Sequence, residues 1–170
     1  VSQAADWFAD ALHNRKRIFV CGNGGSASTA SHFACDVVKG ASYQREDRFR
    51  IMALTDSLPT LTAYSNDVGY DCVFLEQLKN FAEPGDIVMA ISGSGNSPNV
   101  LNAVEYANEI GCRTIGLTGR DGGKLGPRSQ LHIQIPVQQR GRMEDSKMII
   151  CHMIAYQFIE APKATPVPVS

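Results

Sequence analysis

The stretch Ala90-Ile-Ser-Gly-Ser-Gly-Asn-Ser-Pro-Asn99 constrains the fold more than any other part of the sequence. It follows the apolar run Ile87-Val-Met-Ala-Ile91, which reads as a buried strand. It leads into residues 98–110, which read as a helix, with Ser97 suited to the N-cap and Pro98 to the first turn. A strand that gives way to a helix through small polar residues aims backbone N–H groups and hydroxyls at one spot. The positive end of the helix dipole lies behind them, so the turn suits a phosphate or another dianion. No Lys-Ser/Thr pair closes it as in a Walker loop, and it is not a GxGxxG. The plainer alternative is a loop whose small residues serve only the turn.

The rest of the chain repeats the pattern. Residues 2–14 read as a helix, 17–21 as a strand, Gly22-Asn-Gly-Gly-Ser26 as a second tight turn and 27–39 as a helix. A short strand (49–54), a helix (58–65) and a helix (73–81) follow, the last ended by Pro84-Gly85. After strand 86–91 and helix 98–110, Gly111 suits the C′ position. Strand 113–118 then runs into a third glycine-rich turn, Gly119-Arg-Asp-Gly-Gly-Lys124, and a short helix. Strand 131–135 and helix 142–160 complete the series. Such alternation predicts an α/β sandwich with a parallel sheet and right-handed crossovers. Ligands in such folds sit outside the carboxyl ends of the strands, where all three glycine-rich turns fall. Residues 1–160 read as a single domain, and 161–170, with three prolines, as a disordered tail.

A length of 170 residues suits one domain with a real core. The net charge of −1 implies no nucleic acid or other polyanion partner. There is no apolar run of the roughly 18 residues a membrane span needs, and no signal-peptide pattern. Cys21, Cys35, Cys72, Cys112 and Cys151 are odd in number and form no CxxC pair. They read as small packing residues of a reduced, cytoplasmic protein.

His32 and Asp36 are four apart, on nearly one face of a helix. Glu144, Asp145 and His152 lie on the last helix, which is apolar nearly all round and so belongs in a large core or a subunit interface. A lone His there needs a polar partner and is usually a satisfied core histidine. Two imidazoles and two carboxylates on two helices also suit a divalent metal such as zinc, or acid–base work. Ordinary side-chain hydrogen bonds are the alternative. Helical phase alone favours Asp145 over Glu144 beside His152, and the sequence leaves that choice open. His13, at a helix end, and His132, on a solvated strand face, look bland.

Several motifs in register resemble one family: Gly22-Asn-Gly-Gly-Ser26, His32-Phe-Ala, Leu61-Thr-Ala, Asn66-Asp-Val-Gly-Tyr70, Pro84-Gly-Asp86, Ile91-Ser-Gly-Ser-Gly-Asn-Ser-Pro-Asn-Val100 and Leu117-Thr-Gly-Arg-Asp-Gly-Gly-Lys124. The chain resembles, from about residue 4 to residue 160, the phosphoheptose (sedoheptulose-7-phosphate) isomerases of the sugar isomerase (SIS) fold. The resemblance implies a three-layer sandwich with a five-stranded parallel sheet. It implies a homotetramer with active sites between subunits and a sugar-phosphate substrate. Ser92, Gly93, Ser94 and Ser97 would hold the phosphate, and Asn23, Gly24, Ser26 and Asp67 would face the sugar. His32, Asp36, Glu144 and His152 would hold one zinc ion per subunit, with Asp36, Glu144 and His152 as the catalytic groups.

The chain departs from the family pattern at named places. The family has Glu at Asp36, Gln at Glu144, Thr at Gly93 and His at Lys147, and an Asp is missing at Arg140-Gly141. The donor atoms are kept, with one more negative charge. Two functions are compatible with this. One is an aldose–ketose isomerase, converting sedoheptulose 7-phosphate to D-glycero-D-manno-heptose 7-phosphate through an enediolate, or acting on another sugar phosphate. The other is a non-catalytic SIS-fold protein, of the regulatory type or the DnaA-binding assembly type. The retained His32 and His152 favour the first, and the changes at Asp36, Glu144 and Gly141 pull toward the second.

Overall fold

Strand β1 (Arg17–Gly22) carries Ile18 and Val20 on one face and Phe19 and Cys21 on the other, all buried. A strand buried on both faces needs a layer of helices on each side. The structure, a computed structural model that describes residues 1–162, supplies both layers. β2 (Arg50–Ala53), β3 (Ile87–Ser92), β4 (Arg113–Gly119) and β5 (Leu131–Ile135) join β1 in one sheet of order β2-β1-β3-β4-β5. Every pairing is parallel. The predicted five-stranded parallel sandwich is therefore the observed fold.

Helices α1 (Ser2–His13), α2 (Gly25–Cys35) and α7 (Arg140–Ile159) cover one face. Phe8, Phe33 and Ile154 pack there on Ile18, Val20, Met89 and Ile91. α3 (Leu58–Asp67), α4 (Val73–Phe81), α5 (Pro98–Glu109) and the short α6 (Leu125–Arg128) follow in the crossovers. Phe74, Leu78, Val100 and Val104 from α4 and α5 fill the second face against Phe19 and Val88. α3 buries none of its residues fully and meets the core only through the partly buried Leu61 and Tyr64.

The helix predicted over 27–39 starts two residues earlier and changes character at Asp36. α2 ends at Cys35, and a π-helical turn continues from Asp36 to Ala41. The Ser42 hydroxyl donates to Val37 O at 2.9 Å and accepts from Phe49 N–H at 3.2 Å, which ties this wide turn to the chain entering β2. α7 also starts two residues earlier than predicted, and Gln139 caps it by accepting from Arg142 N–H at 2.6 Å. Of the predicted tail, Ala161 and Pro162 are described, and their carbonyls accept hydrogen bonds from Arg45 at 2.7 and 3.3 Å. Residues 163–170 lie outside the described residues. No helix among the described residues is long and apolar enough to cross a membrane.

The order β2-β1-β3-β4-β5 reverses direction between β1 and β3. The crossovers leaving those two strands go to opposite faces and open a crevice at their carboxyl ends. Gly22 closes β1 where a Cβ would stand 2.8 Å from Ile91 O of β3, so the two turns can leave the sheet side by side.

Candidate active site

The two turns line a cavity of about 370 Å³ at the switch point. Asn23, Gly24 and Ser26 come from the β1–α2 turn, and Ser92, Gly93, Ser94 and Ser97 from the β3–α5 turn. The turns are bonded to each other. Asn23 and Asn99 exchange reciprocal amide hydrogen bonds, both 2.9 Å. Tyr70 adds a third contact, its hydroxyl donating to Asn23 Oδ1 at 2.8 Å.

In the second turn, Ser92 Oγ accepts from Gly95 N–H at 3.1 Å and Ser94 Oγ from Asn96 N–H at 3.2 Å. Gly95 has φ +65 and lies so close to Gly122 of the third glycine-rich turn that a Cβ would overlap the Gly122 carbonyl. Leu125 N–H then donates to Gly95 O at 2.9 Å, so the third turn braces the second. Ser97 occupies the N-cap position of α5 as predicted, but its side chain makes no cap hydrogen bond. Its hydroxyl lies 3.5 Å from Ser92 Oγ, on the cavity wall. With the positive N-terminal end of α5 behind it, this hydroxyl stands where an anion would be favoured.

A second constellation lies where α2 meets α7. Asp36 Oδ2 is 3.4 Å from His32 Nε2 and 3.4 Å from His152 Nε2, and the two imidazole nitrogens are 3.5 Å apart. Asp36 Oδ2 is buried and has no hydrogen-bond partner. Three donor atoms at nearly equal spacing, one of them the orphaned carboxylate oxygen, fit one divalent cation. Ligands of a tetrahedral zinc with bonds of about 2.0–2.1 Å lie roughly 3.4 Å apart. The three residues are a metal-capable group.

The sequence expectations divide here. Asp67 does not line the cavity; it ends α3, exposed, and accepts from Asn66 Nδ2 at 2.7 Å. Glu144 is not brought to the His/Asp/His group. Eight residues separate it from His152, about 12 Å along a helix. Its carboxylate lies on the cavity wall, 2.7 Å from where a Cβ of Gly25 would stand. Asp145, favoured by helical phase, is exposed and outside the group. His152 is half-exposed rather than a core histidine. Cys35 is exposed rather than a packing residue. His132 is not on a free strand face: its Nε2 lies 2.7 Å from Thr118 Oγ1, against Gly122 and Gly126.

Sequence reasoning missed Gly25, Arg120, Arg140, Met143 and Lys147 on the cavity wall, and Tyr70 behind it. Arg120 stood inside the third glycine-rich turn, where its position was a usable signal. Lys147 lies four residues after Met143 and three after Glu144 on α7, within the face they present to the cavity.

The chain matches the SIS domain family over residues 1–119. It is 41% identical over 155 residues to the phosphoheptose isomerase of Aliarcobacter butzleri, covering 91% of this chain and 81% of that protein. It is 40% identical over 154 residues to that of Geobacter sulfurreducens, with the same coverage. The chain belongs to the phosphoheptose isomerase family. The solved phosphoheptose isomerase of Neisseria gonorrhoeae superposes with TM-score 0.87 at 34% identity, over 94% of this chain and 85% of that one. The cavity and the His/Asp/His group are thus two parts of a phosphoheptose isomerase fold, joined by α7, which carries Glu144 and Lys147 at one and His152 at the other.

Proposed function

We propose that this phosphoheptose isomerase fold interconverts sedoheptulose 7-phosphate and D-glycero-D-manno-heptose 7-phosphate. The chain is an aldose–ketose sugar-phosphate isomerase by its relatives. The observation that carries the specific reading is the pairing of an anion turn with a metal-capable group on the same long helix. The unpartnered Asp36 oxygen between two imidazoles supports the catalytic reading over the non-catalytic one.

The phosphate is held by the hydroxyls of Ser92, Ser94 and Ser97 at the positive N-terminal end of α5, with Gly93 giving close approach. Binding so far from the reacting carbons fixes them in place, and that binding energy lowers the barrier when it is realised in the transition state. Asn23, Gly24 and Ser26 face the sugar. A divalent cation, zinc by the chemistry of the donors, would be held by His32, Asp36 and His152, and supplies Lewis-acid polarisation of the carbonyl when bound. Glu144 remains free on the cavity wall to take the proton from C1 and return it to C2, while a second proton passes from O1 to O2. Asp36 then acts by holding the ligand set rather than as the base.

The active protein is a homotetramer with sites completed between subunits. Ile149, Met153 and Tyr156 of α7 lie bare beside His152, which supports an interface there. Asp67 is then available to a neighbour's site. Five unpaired cysteines fit the cytoplasm.

The test is an isomerase assay, by NMR, of sedoheptulose 7-phosphate and a panel of other ketose phosphates, with elemental analysis of untagged protein. Conversion of sedoheptulose 7-phosphate ahead of the panel, with stoichiometric metal, is expected. Turnover of none of them would overturn the reading.

A further inference from the structure

Lys147 is the buried charge of the molecule that the reading above leaves without a task. It projects from α7 into the cavity wall, and only 1% of the residue is exposed. Its ammonium has three donors. One contact is present, to Ser26 Oγ at 3.3 Å. No carboxylate among the described residues comes within ion-pair distance of it; Glu144, one turn back on α7, is the nearest anion along the helix. An ammonium held from water with one weak partner is costly unless an anion completes it.

The space around Nζ identifies the anion. A Cβ built on Gly93 would stand 3.4 Å from Lys147 Nζ and 3.1 Å from Met143 Sδ. Lys147 therefore reaches the middle of the β3–α5 turn through the gap that the missing side chain of Gly93 leaves.

We propose that Lys147 is the fixed positive charge of the phosphate site, its ammonium reaching past Gly93 to donate to the bound phosphate. The inference rests on the reading of the β3–α5 turn as the phosphate anchor. Lys147 and Gly93 then form one unit: the glycine leaves the space open, and the lysine brings a charged donor to it from the opposite wall. Arg120 and Arg140 line the same cavity at its exposed rim and add to its positive field. The buried lysine differs from them in being fixed before the ligand arrives. Its pKa is lowered, by burial first, with Glu144 opposing. A phosphate dianion beside the lysine raises it again.

The experiment titrates inorganic phosphate into wild type, Lys147→Met, Lys147→Gln and Ser97→Ala, by calorimetry and by the rise in thermal midpoint. Lys147→Met is close in volume and removes a buried charge, so the phosphate-free protein is expected to melt no lower than wild type. Its phosphate affinity is expected to fall by about tenfold or more, and the phosphate-induced rise in midpoint to shrink with it. Lys147→Gln is expected to weaken phosphate in the same way. Adding Gly93→Ser to Lys147→Met should recover part of the affinity by returning a hydroxyl to the vacated space. Wild-type affinity in both lysine variants, with Ser97→Ala weakened, would overturn the role of Lys147 and leave the phosphate anchor standing. Wild-type affinity in all three single variants would overturn both.

Discussion

The two halves of α7 are made of similar residues and do different things. In the first half, Met143 and Lys147 are buried against the β3–α5 turn, and Glu144 closes the cavity wall beside Gly25. Everything that half needs is supplied by one chain. In the second half, Cys151, Ile154 and Ala155 face the core, while Ile149 and Met153 are 57% and 51% exposed. His152 stands between those two surfaces, half-open, with Tyr156 edge-on to it at 5.8 Å. The cavity half of α7 is covered by its own chain, whereas the His152 half is partly bare. A hydrolytically inert binding site can be built by one fold, but a water-excluding reaction chamber here requires something to cover the bare end of α7.

The largest expected effect comes from the reactive end. Asp36→Asn and His152→Ala should each lower turnover by about 10²–10⁴-fold and remove bound metal, while the affinity for inorganic phosphate stays as in wild type. Elemental analysis beside calorimetry checks this. Loss of phosphate binding in step with loss of metal would show that the two halves are one site energetically, and the contrast drawn above would fail. A chelator should act in the same direction on wild type, abolishing isomerase activity while far-ultraviolet circular dichroism is unchanged.

Next in size is the cover. Ile149→Asp with Met153→Asp places two charges on the bare face without touching the anchor. The wild type is expected to sediment as a tetramer and the double variant as a smaller species. That variant should lose most turnover and keep phosphate binding. A monomeric wild type that is fully active would mean the reactive end needs no cover.

Smaller again is the anchor itself. Ser94→Ala and Ser97→Ala should each cost about 1.5–3 kcal/mol of phosphate binding, with metal content unchanged. Ser97 is the sharper probe, because its hydroxyl makes no cap bond that the substitution would also remove.

The anchor was legible in the sequence, and the reasons are local. An apolar pentad before Ser92, a serine-glycine turn and Pro98 after it leave the backbone few alternatives. The i, i+4 spacing of His32 and Asp36 was equally readable, because it lies within one helix. The pairing of His152 with them depends on how α7 is rotated against α2. A helix apolar all round carries no phase that would fix that rotation. The same ambiguity hid Lys147, whose burial follows from the rotation of α7 and not from any pattern in its neighbours. The π-helical turn at Asp36 was invisible for a related reason: one wider turn does not disturb the spacing of Ala34, Val37 and Ala41, all of which are buried. Asp67 was placed by family resemblance, which cannot distinguish a contact within a chain from one between chains; the choice of Glu144 over Asp145 beside His152 came from the same resemblance, against helical phase.

The smallest effect separates two kinds of buried group by their response to pH. Burial pushes the Cys21 thiol, one residue before Gly22, up to about 12, and the Cys112 thiol up to about 11. The unfolded thiols lose their protons near the ordinary value of 9.0. Above that pH the folded state holds more protons than the unfolded one, so the two thiols make stability fall as pH rises. Lys147 works the other way. Its folded pKa is lowered from 10.5 by burial, so the unfolded state holds more protons between the folded value and 10.5, and stability rises with pH across that window. Wild type thus carries two opposing slopes above pH 9, and Lys147→Met removes one of them. Urea midpoints of both proteins at pH 7, 9 and 10.5 should fall more steeply with pH in the variant than in wild type. Cys21→Ala should fall less steeply than either. Parallel midpoints for wild type and Lys147→Met would mean that the lysine ammonium is as well solvated in the folded chain as in the unfolded one, and the anchor would then lack the dry, fixed charge that sets it apart from the open end of α7.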